Sequence, residues 1–598
     1  MGNVDGLGFS ESWRIWFLVI ETLGIVEAVV FFTKMIPFTN RSPQADRYQK
    51  KIQNTKAEKL PTVDVFIPTL DEKKPILEKS IIGSRALNYP NLNVWILDDG
   101  CRDWLKDYCD EKEVGYIPRE ESTDAKAGNL NNAMKYTDGD LITIFDADFV
   151  PQKDFLQRTV GFFENDEVGI VQTPQHFYNP DPIQNNLLLY DSWPDEQRLF
   201  FDVIQPGLDG WDAAMCCGSC SIARRSDIED IGGFPTESIT EDYLTSLKLL
   251  RKGKVTRYLN ERLSQGLAPE TTEAFNTQRK RWMQGSLQIL YLKDGPLGPG
   301  LSLIHRIMFF PFYWIDFSFF YLTMMLAPIL FLTTGIVPYE IPNIPEYLSY
   351  QGGMLFASYF IMNWMAPKRY RVLPAVMTEF YKSIQLFPVL IQTLIDPFGK
   401  GFEVTPKGLK KGSIDWLTLI IASTGFLICF VWLFFTRMPY FSNGFNRIFL
   451  PVGIFWSFFE LMILSLVMMM CFNKARPRVE ERFEINEKVS VVFEGETKSC
   501  EIKDMSLAGA MLEFDERVDA RGKRILIKVS EIMSFPAEVV YTDDKQVAIE
   551  FKAQTTEQKD QMIEYLFTNP FTPTEYGEAD STTIYKRLFN RAFGTASP

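Results

Sequence analysis

The chain has 598 residues, with 62 Lys and Arg against 76 Asp and Glu and a formal net charge of −14. A pI near 5.0 excludes the basic footprint of a nucleic-acid-coating protein, so no nucleic acid is expected as a partner. The length exceeds one ordinary core, and a mean hydropathy of −0.07 averages a polar part with a membrane-embedded one.

In chain order, residues 13–36 come first. Their apolar run Ile15–Ile36 is long enough to span a bilayer, and no small-residue cleavage site follows it. It therefore reads as an anchor, with Glu21 and Glu27 marking a helix packed inside a bundle. Residues 61–300 are βα-like: strands are expected at Val63–Ile67, Val94–Leu97, Leu141–Phe145 and Gly169–Gln172. A mainly parallel sheet with helices on both faces follows, its ligand site beyond the strands' C-terminal ends. Asp98-Asp99-Gly100 and Asp146-Ala147-Asp148 both fall at such ends.

Residues 304–473 carry hydrophobic spans at Met308–Ile336, Gly353–Met365, Ile414–Phe435 and Phe449–Cys471. Bases cluster after the first span (Lys34, Arg41, Arg47, Lys50, Lys51), the third (Lys368, Arg369, Arg371) and the last (Lys474, Arg476, Arg478). By the positive-inside rule, five spans place both soluble regions in the cytosol. Residues 476–570 then show period-two strands at Val489–Phe493, Lys498–Ile502, Ala510–Phe514, Ile525–Val529, Ala537–Tyr541 and Val547–Phe551, the pattern of a small β-barrel. In the tail, 571–598, Thr583–Phe593 reads as an amphipathic helix for the membrane surface or the catalytic domain.

Four clusters carry chemistry. With only His176 and His305 present, acid–base work falls to carboxylates, and the Cys217–Cys220 CxxC lacks the second pair a zinc site needs. An inverting glycosyl transfer needs a base for the acceptor hydroxyl, a cation on the leaving diphosphate, and donors that hold the nucleotide in line. Asp146 and Asp148 suit a hard cation, Mg²⁺ or Mn²⁺. Asp242 in Thr240-Glu241-Asp242 is the candidate base, with a helix N-cap as its plainer reading. In Gln278-Arg279-Lys280-Arg281-Trp282, Arg281 can stabilise diphosphate charge and Trp282 offers a flat face to a sugar ring. Lys126 can reach the diphosphate. Aromatics such as Phe310, Tyr313, Trp314 and Phe317 could stack on a sugar chain in a channel.

Together, the order D, DxD, TED, QxxRW over Pro61–Met283 resembles the processive family-2 glycosyltransferases, the cellulose, chitin, hyaluronan and curdlan synthases. Lys126-Ala127-Gly128-Asn129-Leu130-Asn131, Gln172-Thr173-Pro174-Gln175 and Cys217-Gly218-Ser219 look most like the cellulose synthase type. The resemblance implies a GT-A-type α/β domain among transmembrane helices and UDP-glucose as donor. It implies Asp242, Glu241 and Arg281 as catalytic residues, and Thr69, Glu72, Asp99, Lys126, Asp146, Gln278 and Arg281 around UDP. Trp282, Cys217, Gly218 and Ser219 would meet the nascent glucan, while Asp71 departs from the Asn often found there. Phe402-Glu403-Val404-Thr405-Pro406-Lys407, near 400–411, resembles the family's gating loop.

Arg478 and Arg482 form an RxxxR pair, and Asp504, Ser506 and Gly509 belong to a DxSxxG turn. Two arginines can grip guanine edges and phosphates, and both elements ahead of six short strands resemble a PilZ domain, the receptor for cyclic di-GMP. The implied protein is a cyclic di-GMP-activated β-glucan synthase in a bacterial inner membrane, with an export partner on the periplasmic or extracellular side. Its single N-terminal span, where cellulose synthases carry several, points to a shorter relative such as a mixed-linkage (1,3;1,4)-β-glucan synthase. The alternatives are a UDP-N-acetylglucosamine polymerase of the chitin or hyaluronan type, and an inactive cyclic di-GMP-sensing scaffold.

Overall fold

The structure is a computed structural model that describes residues 6–189, 193–399, 413–434, 449–474, 480–493, 495–518, 520–529, 533–552, 554–573 and 581–593. The catalytic domain is built on a seven-stranded sheet of order β3-β2-β1-β4-β7-β6-β8. Its strands are β1 (Val63–Thr69), β2 (Leu92–Asp98), β3 (Gly115–Pro118), β4 (Leu141–Ile144), β6 (Val168–Gln172), β7 (Ser221–Arg224) and β8 (Val255–Tyr258), while β5 (Phe149–Pro151) pairs with β9 (Ser264–Gly266) separately. All four expected strands are present. β1 is buried almost throughout because helices cover both faces, which is why it reads as a continuous apolar run. Its one buried charge, Asp64, is satisfied by Trp95 Nε1 at 3.0 Å, Arg225 at 2.9 Å and the Gly139 N–H at 2.7 Å.

β7 was not legible in the sequence. It runs antiparallel between β4 and β6, and it brings Cys217–Ser219 to the strand end that carries Asp146.

Four helices are long and apolar enough to cross a membrane: Gly8–Met35, Phe312–Thr334, Trp416–Phe434 and Leu450–Met470. The expected span at Gly353–Met365 is a 13-residue helix, reached through helical turns that begin at Ile344. By itself it is too short to span, but the continuous helical run from Ile344 to Met365 is long enough. The 24-residue helix Val372–Ile395 occupies a stretch where no element was expected. Pro374, Glu379, Lys382 and Pro388 interrupt its apolar run in sequence, yet its inner face packs against the helices Thr272–Gln288 and Phe312–Thr334. Glu21 and Glu27 line a cavity between the helices, which corrects the expectation that they merely pack inside a bundle.

The second soluble domain is a closed antiparallel barrel of β10 (Phe483–Phe493), β11 (Glu496–Met505), β12 (Gly509–Glu513), β13 (Arg524–Lys528), β14 (Ser534–Asp543) and β15 (Gln546–Phe551). β10 pairs with both β11 and β13, which closes the ring and removes the open edges. The helix Thr556–Thr568 starts with a Thr555/Gln558 capping box and buries Met562, Ile563, Leu566 and Phe567 in the barrel's apolar cluster. Its other face docks on the catalytic domain. There Lys112 meets Asp560 at 2.5 Å, Lys559 pairs with Glu78, and Lys153 lies 2.8 Å from Glu564. In the tail helix Ser581–Phe593, Ile584 and Leu588 are buried against the catalytic domain and membrane helices, while Tyr585 and Phe589 stay exposed. Arg587 donates to the Leu188 carbonyl at 3.0 Å.

Candidate active site

The exits of β1, β2 and β4 converge on one end of a cavity of about 1570 Å³. Thr69, Glu72, Asp99, Lys126, Asp146, Asp148, Asp242, Gln278, Arg281, Trp282, Cys217 and Gly218 all line it. It continues past Tyr313 and Phe317 between the membrane helices as far as Tyr339, Trp456 and Glu460.

At the strand-exit end, Thr69 Oγ1 donates to Glu72 at 2.6 Å and accepts from Arg102 at 2.8 Å. Arg102 is held in turn by the buried Asp98 at 2.8 Å, so Asp98 braces the pocket from behind. Asp99 is clasped bidentately by Arg119, at 2.7 and 2.6 Å. Arg102 and Arg119 escaped the sequence reading because single arginines outside a motif carry no signal. Asp71 is exposed and does not line the cavity.

Lys126 Nζ donates to Asp146 Oδ1 and, at 2.6 Å, to the Gly218 carbonyl. Burial would lower the Lys126 pKa, but Asp146, Glu241 and Asp242 outweigh it and hold it above the ordinary lysine value. The Asp146 N–H donates to Ser219 Oγ at 2.9 Å. Ser219, expected beside the acceptor, is instead fully buried and does not line the cavity, because its hydroxyl is spent on orienting the Asp146 backbone. Gln172 closes the same turn, accepting from the Cys217 N–H and donating to the Ser219 carbonyl, each at 2.8 Å. Burial pushes the Cys217 thiol well up, so it is no thiolate nucleophile.

Asp242 is the second residue of the helix Glu241–Arg251, whose N-cap is Thr240. The N-cap reading of Asp242 therefore falls away, and its Oδ1 accepts from the Tyr243 N–H at 2.7 Å. Burial first, then the neighbouring Glu241 charge, raises the Asp242 pKa to about 7, against the pull of Lys126 and Arg281. Gly218 stands against this carboxylate at φ +74°, where an added Cβ would lie 2.9 Å from Asp242 Oδ2. Only glycine fits both the backbone and the space.

Arg281 and Trp282 come from the helix Thr272–Gln288, which the Val372–Ile395 helix supports. Arg279 stacks 4.2 Å from the Trp282 ring and pairs with Glu196. Glu196 also meets Lys382 at 2.7 Å, and Lys382 contacts Glu379 at 2.9 Å. Burial alone would raise the Glu196 pKa, but Arg279 and Lys382 hold it down at about 2. This buried network fixes the Trp282 platform to the membrane helices, and no motif announced it.

Among the described residues no group of three His, Cys, Asp or Glu side chains could enclose a metal ion. Two cavity-facing carboxylates with a lysine already seated on one of them still fit a Mg²⁺-like ion, which takes one or two protein carboxylates and completes its shell with phosphate and water.

In the barrel, Arg482 donates to Asp504 at 2.6 Å. Ser506 is buried, and its hydroxyl accepts from the Gly509 N–H at 3.2 Å, so it builds the turn. An added Cβ on Gly509 would lie 2.2 Å from the Ile549 carbonyl. Arg478 and the loop residues Phe402, Val404, Thr405 and Lys407 lie outside the described residues.

Residues 64–232 match the glycosyl transferase family 2 model, and residues 476–568 match the PilZ domain. A UDP-forming cellulose synthase catalytic subunit of Pseudomonas fluorescens is 31% identical over 555 residues, spanning 87% of this chain and 72% of that protein. A Komagataeibacter xylinus cellulose synthase 1 catalytic subunit is 32% identical over 539 residues, spanning 85% of this chain and 70% of its own. The chain belongs to the cellulose synthase catalytic-subunit family. It is a family-2 glycosyltransferase with a C-terminal PilZ domain, as its motifs implied. Among solved structures, a Pyrobaculum calidifontis mannosyltransferase is similar over 64% of this chain and 99% of its own, at TM-score 0.43 and 18% identity.

Proposed function

We propose that the protein is a cyclic di-GMP-activated, processive, inverting β-glucan synthase. It transfers glucose from UDP-glucose to a growing chain of cellulose-like β-1,4 or mixed (1,3;1,4) linkage, and it passes the polymer across a bacterial inner membrane. The observation that carries this reading is the single cavity joining Asp146, Asp242 and Trp282 to the space between the membrane helices.

Thr69, Glu72 and Asp99 hold the uridine side, while Lys126, Gln278 and Arg281 face the diphosphate. Asp146 and Asp148 would hold Mg²⁺ or Mn²⁺, which supplies charge neutralisation on the leaving diphosphate when bound. Asp242 takes the acceptor hydroxyl's proton as that oxygen bonds to the anomeric carbon from the face opposite the UDP oxygen. The bond to UDP breaks and the configuration inverts. The raised Asp242 pKa suits a base that must gain and lose a proton near neutrality. Trp282 stacks on the terminal sugar, with Cys217 and Gly218 beside it.

On the regulatory side, Arg478, Arg482 and Asp504 bind cyclic di-GMP, and the Ser506–Gly509 turn sets the binding edge. With no dinucleotide bound, the Arg478–Arg482 segment holds the 400–411 loop closed. Dinucleotide competes for those arginines and frees the loop, which activates synthesis. The catalytic and PilZ domains are cytosolic, and a periplasmic or extracellular partner receives the glucan.

The test supplies UDP-[³H]glucose and Mg²⁺ to the purified protein, with and without cyclic di-GMP, and digests the product with cellulase or lichenase. Dinucleotide-dependent polymer is the expected result, and the digestion assigns its linkage. Incorporation from UDP-N-acetylglucosamine alone would move the protein to the chitin-type branch. Tight dinucleotide binding without any transfer would leave a sensing scaffold.

A further inference from the structure

The helix Thr272–Gln288, which carries Gln278, Arg281 and Trp282, has its first turn held from two directions. The first N–H groups of any helix lack partners within it. Thr271 Oγ1 accepts from the Ala274 N–H at 3.2 Å, which is an ordinary local cap. The Thr272 N–H donates instead to Asn473 Oδ1 at 3.0 Å, on a side chain 201 positions away. Asn473 Nδ2 returns a bond to Thr272 Oγ1 at 2.9 Å. A local cap serves the helix alone, whereas a cap supplied from so far away ties the helix to another part of the chain.

That part is the joint at which the chain leaves the membrane. Asn473 follows the helix Leu450–Met470 and opens the stretch that leads to Arg478. Its N–H donates to the Ser413 carbonyl at 3.2 Å, and its Nδ2 to Ser413 Oγ at 2.7 Å. Both Nδ2 hydrogens are thereby used. The Asp415 N–H donates to the Cys471 carbonyl at 2.9 Å, and Ile414 pairs with Phe472 between them. Residues 413–415 and 471–473 thus form one short antiparallel bridge. Asp415 adds a second tie to the same helix: it accepts from Tyr381 Oη at 2.9 Å, which accepts from Asn276 at 2.9 Å. From the other side, Asn186 Oδ1 accepts from the Lys474 N–H and Asn185 Nδ2 donates to the Lys474 carbonyl, each at 3.0 Å.

We infer that Asn473 is a positioning residue that locks the helix bearing Arg281 and Trp282 to the segment leading into the barrel. The catalytic helix and the regulatory linker then shift as one body, because a hydrogen-bonded joint between rigid elements transmits displacement. The inference rests on the proposed roles of Arg281 and of the Arg478–Arg482 segment. It adds a connection to the catalytic helix that runs through the helix's first turn.

The experiment measures UDP release by full-length wild type, Asn473→Ala, Asn473→Asp and Thr272→Val in proteoliposomes with Mg²⁺. Each is assayed over a UDP-glucose series with and without saturating cyclic di-GMP, beside calorimetric dinucleotide affinity. Losing the side-chain bonds that transmit the shift is worth about a three- to tenfold effect. Asn473→Ala should lose about that factor in dinucleotide stimulation of kcat, at unchanged donor KM and dinucleotide Kd. Asn473→Asp keeps an acceptor for the Thr272 N–H, and both hydroxyls can turn to donate to it, so stimulation returns. Thr272→Val removes one bond and falls between, and adding it to Asn473→Ala costs nothing more.

Full stimulation in Asn473→Ala overturns the assignment. So does an Asp variant as impaired as Ala, or a stimulation lost only together with dinucleotide affinity. Should Asn473→Ala fail to fold, Thr272→Val carries the test, and its full stimulation overturns the assignment. A wild type indifferent to cyclic di-GMP is a different outcome. It removes the regulatory reading and this inference with it, whereas a stimulated wild type with an equally stimulated Asn473→Ala removes the inference alone.

Discussion

Replacing Gly218 by alanine tests whether the turn before β7 sets the position of Asp242, the proposed base. Gly218 has φ +74°, and a Cβ there would lie 2.9 Å from Asp242 Oδ2, where ordinary contact begins at 3.4 Å. Either the carboxylate or the turn must yield by about half an ångström. Alanine in the left-handed region adds roughly 1–2 kcal/mol of strain. The Gly218 carbonyl also accepts from Lys126 Nζ at 2.6 Å, so a displaced turn disturbs Asp242 and Lys126 together. A misplacement of 1 Å in a reacting group costs on the order of 100-fold, so kcat should fall roughly 10- to 100-fold.

Gly253 supplies the control, with the same φ of +74° but nothing within 4 Å of an added Cβ. Gly253→Ala should share the strain and keep its kcat. The assay is UDP release at saturating donor and cyclic di-GMP, alongside thermal unfolding of each variant. A Gly218→Ala enzyme with wild-type kcat, or a Gly253→Ala enzyme that loses as much, would refute the steric argument.

Three further outcomes follow from the same geometry. In the proposed mechanism Asp242 acts as a base only when ionised, and burial with the Glu241 charge raises its pKa to about 7. Activity should therefore fall as pH drops through that value rather than near the usual carboxylate range, and Glu241→Gln should move the acid limb lower; an unmoved limb in a pH–kcat/KM series would show that Glu241 is not the neighbour responsible. Arg482→Ala removes the 2.6 Å contact to Asp504 and should weaken cyclic di-GMP binding by calorimetry at least tenfold, while circular dichroism shows the barrel intact. Asp560→Ala removes one of the two carboxylates that hold Lys112, leaving Glu111 at 3.0 Å, and should loosen domain docking by about 1 kcal/mol, read as faster proteolysis between the barrel and the membrane region.

The sequence by itself determined the layered plan, because its signals are local. Apolar runs such as Val63–Ile67 and Leu141–Phe145 name the strands that two helical layers bury, and Asp146, Asp242 and Trp282 sit in the motif order that resembles family-2 glycosyltransferases. Alternation over the last third fixes a barrel, since each strand shows one wet face and one dry face. Tertiary structure decided what depends on partners far apart in the chain. Arg119 became the clasp of Asp99 only because β3 ends beside β2. The polar residues Glu379 and Lys382 broke the apolar pattern of their helix, and only packing against Glu196 and Arg279 shows why they are there. Ser219 read as a sugar contact and is a backbone brace, because burial is a property of the whole fold. A pattern of residue types fixes which elements form; which side chains meet is fixed by the packing of those elements in space.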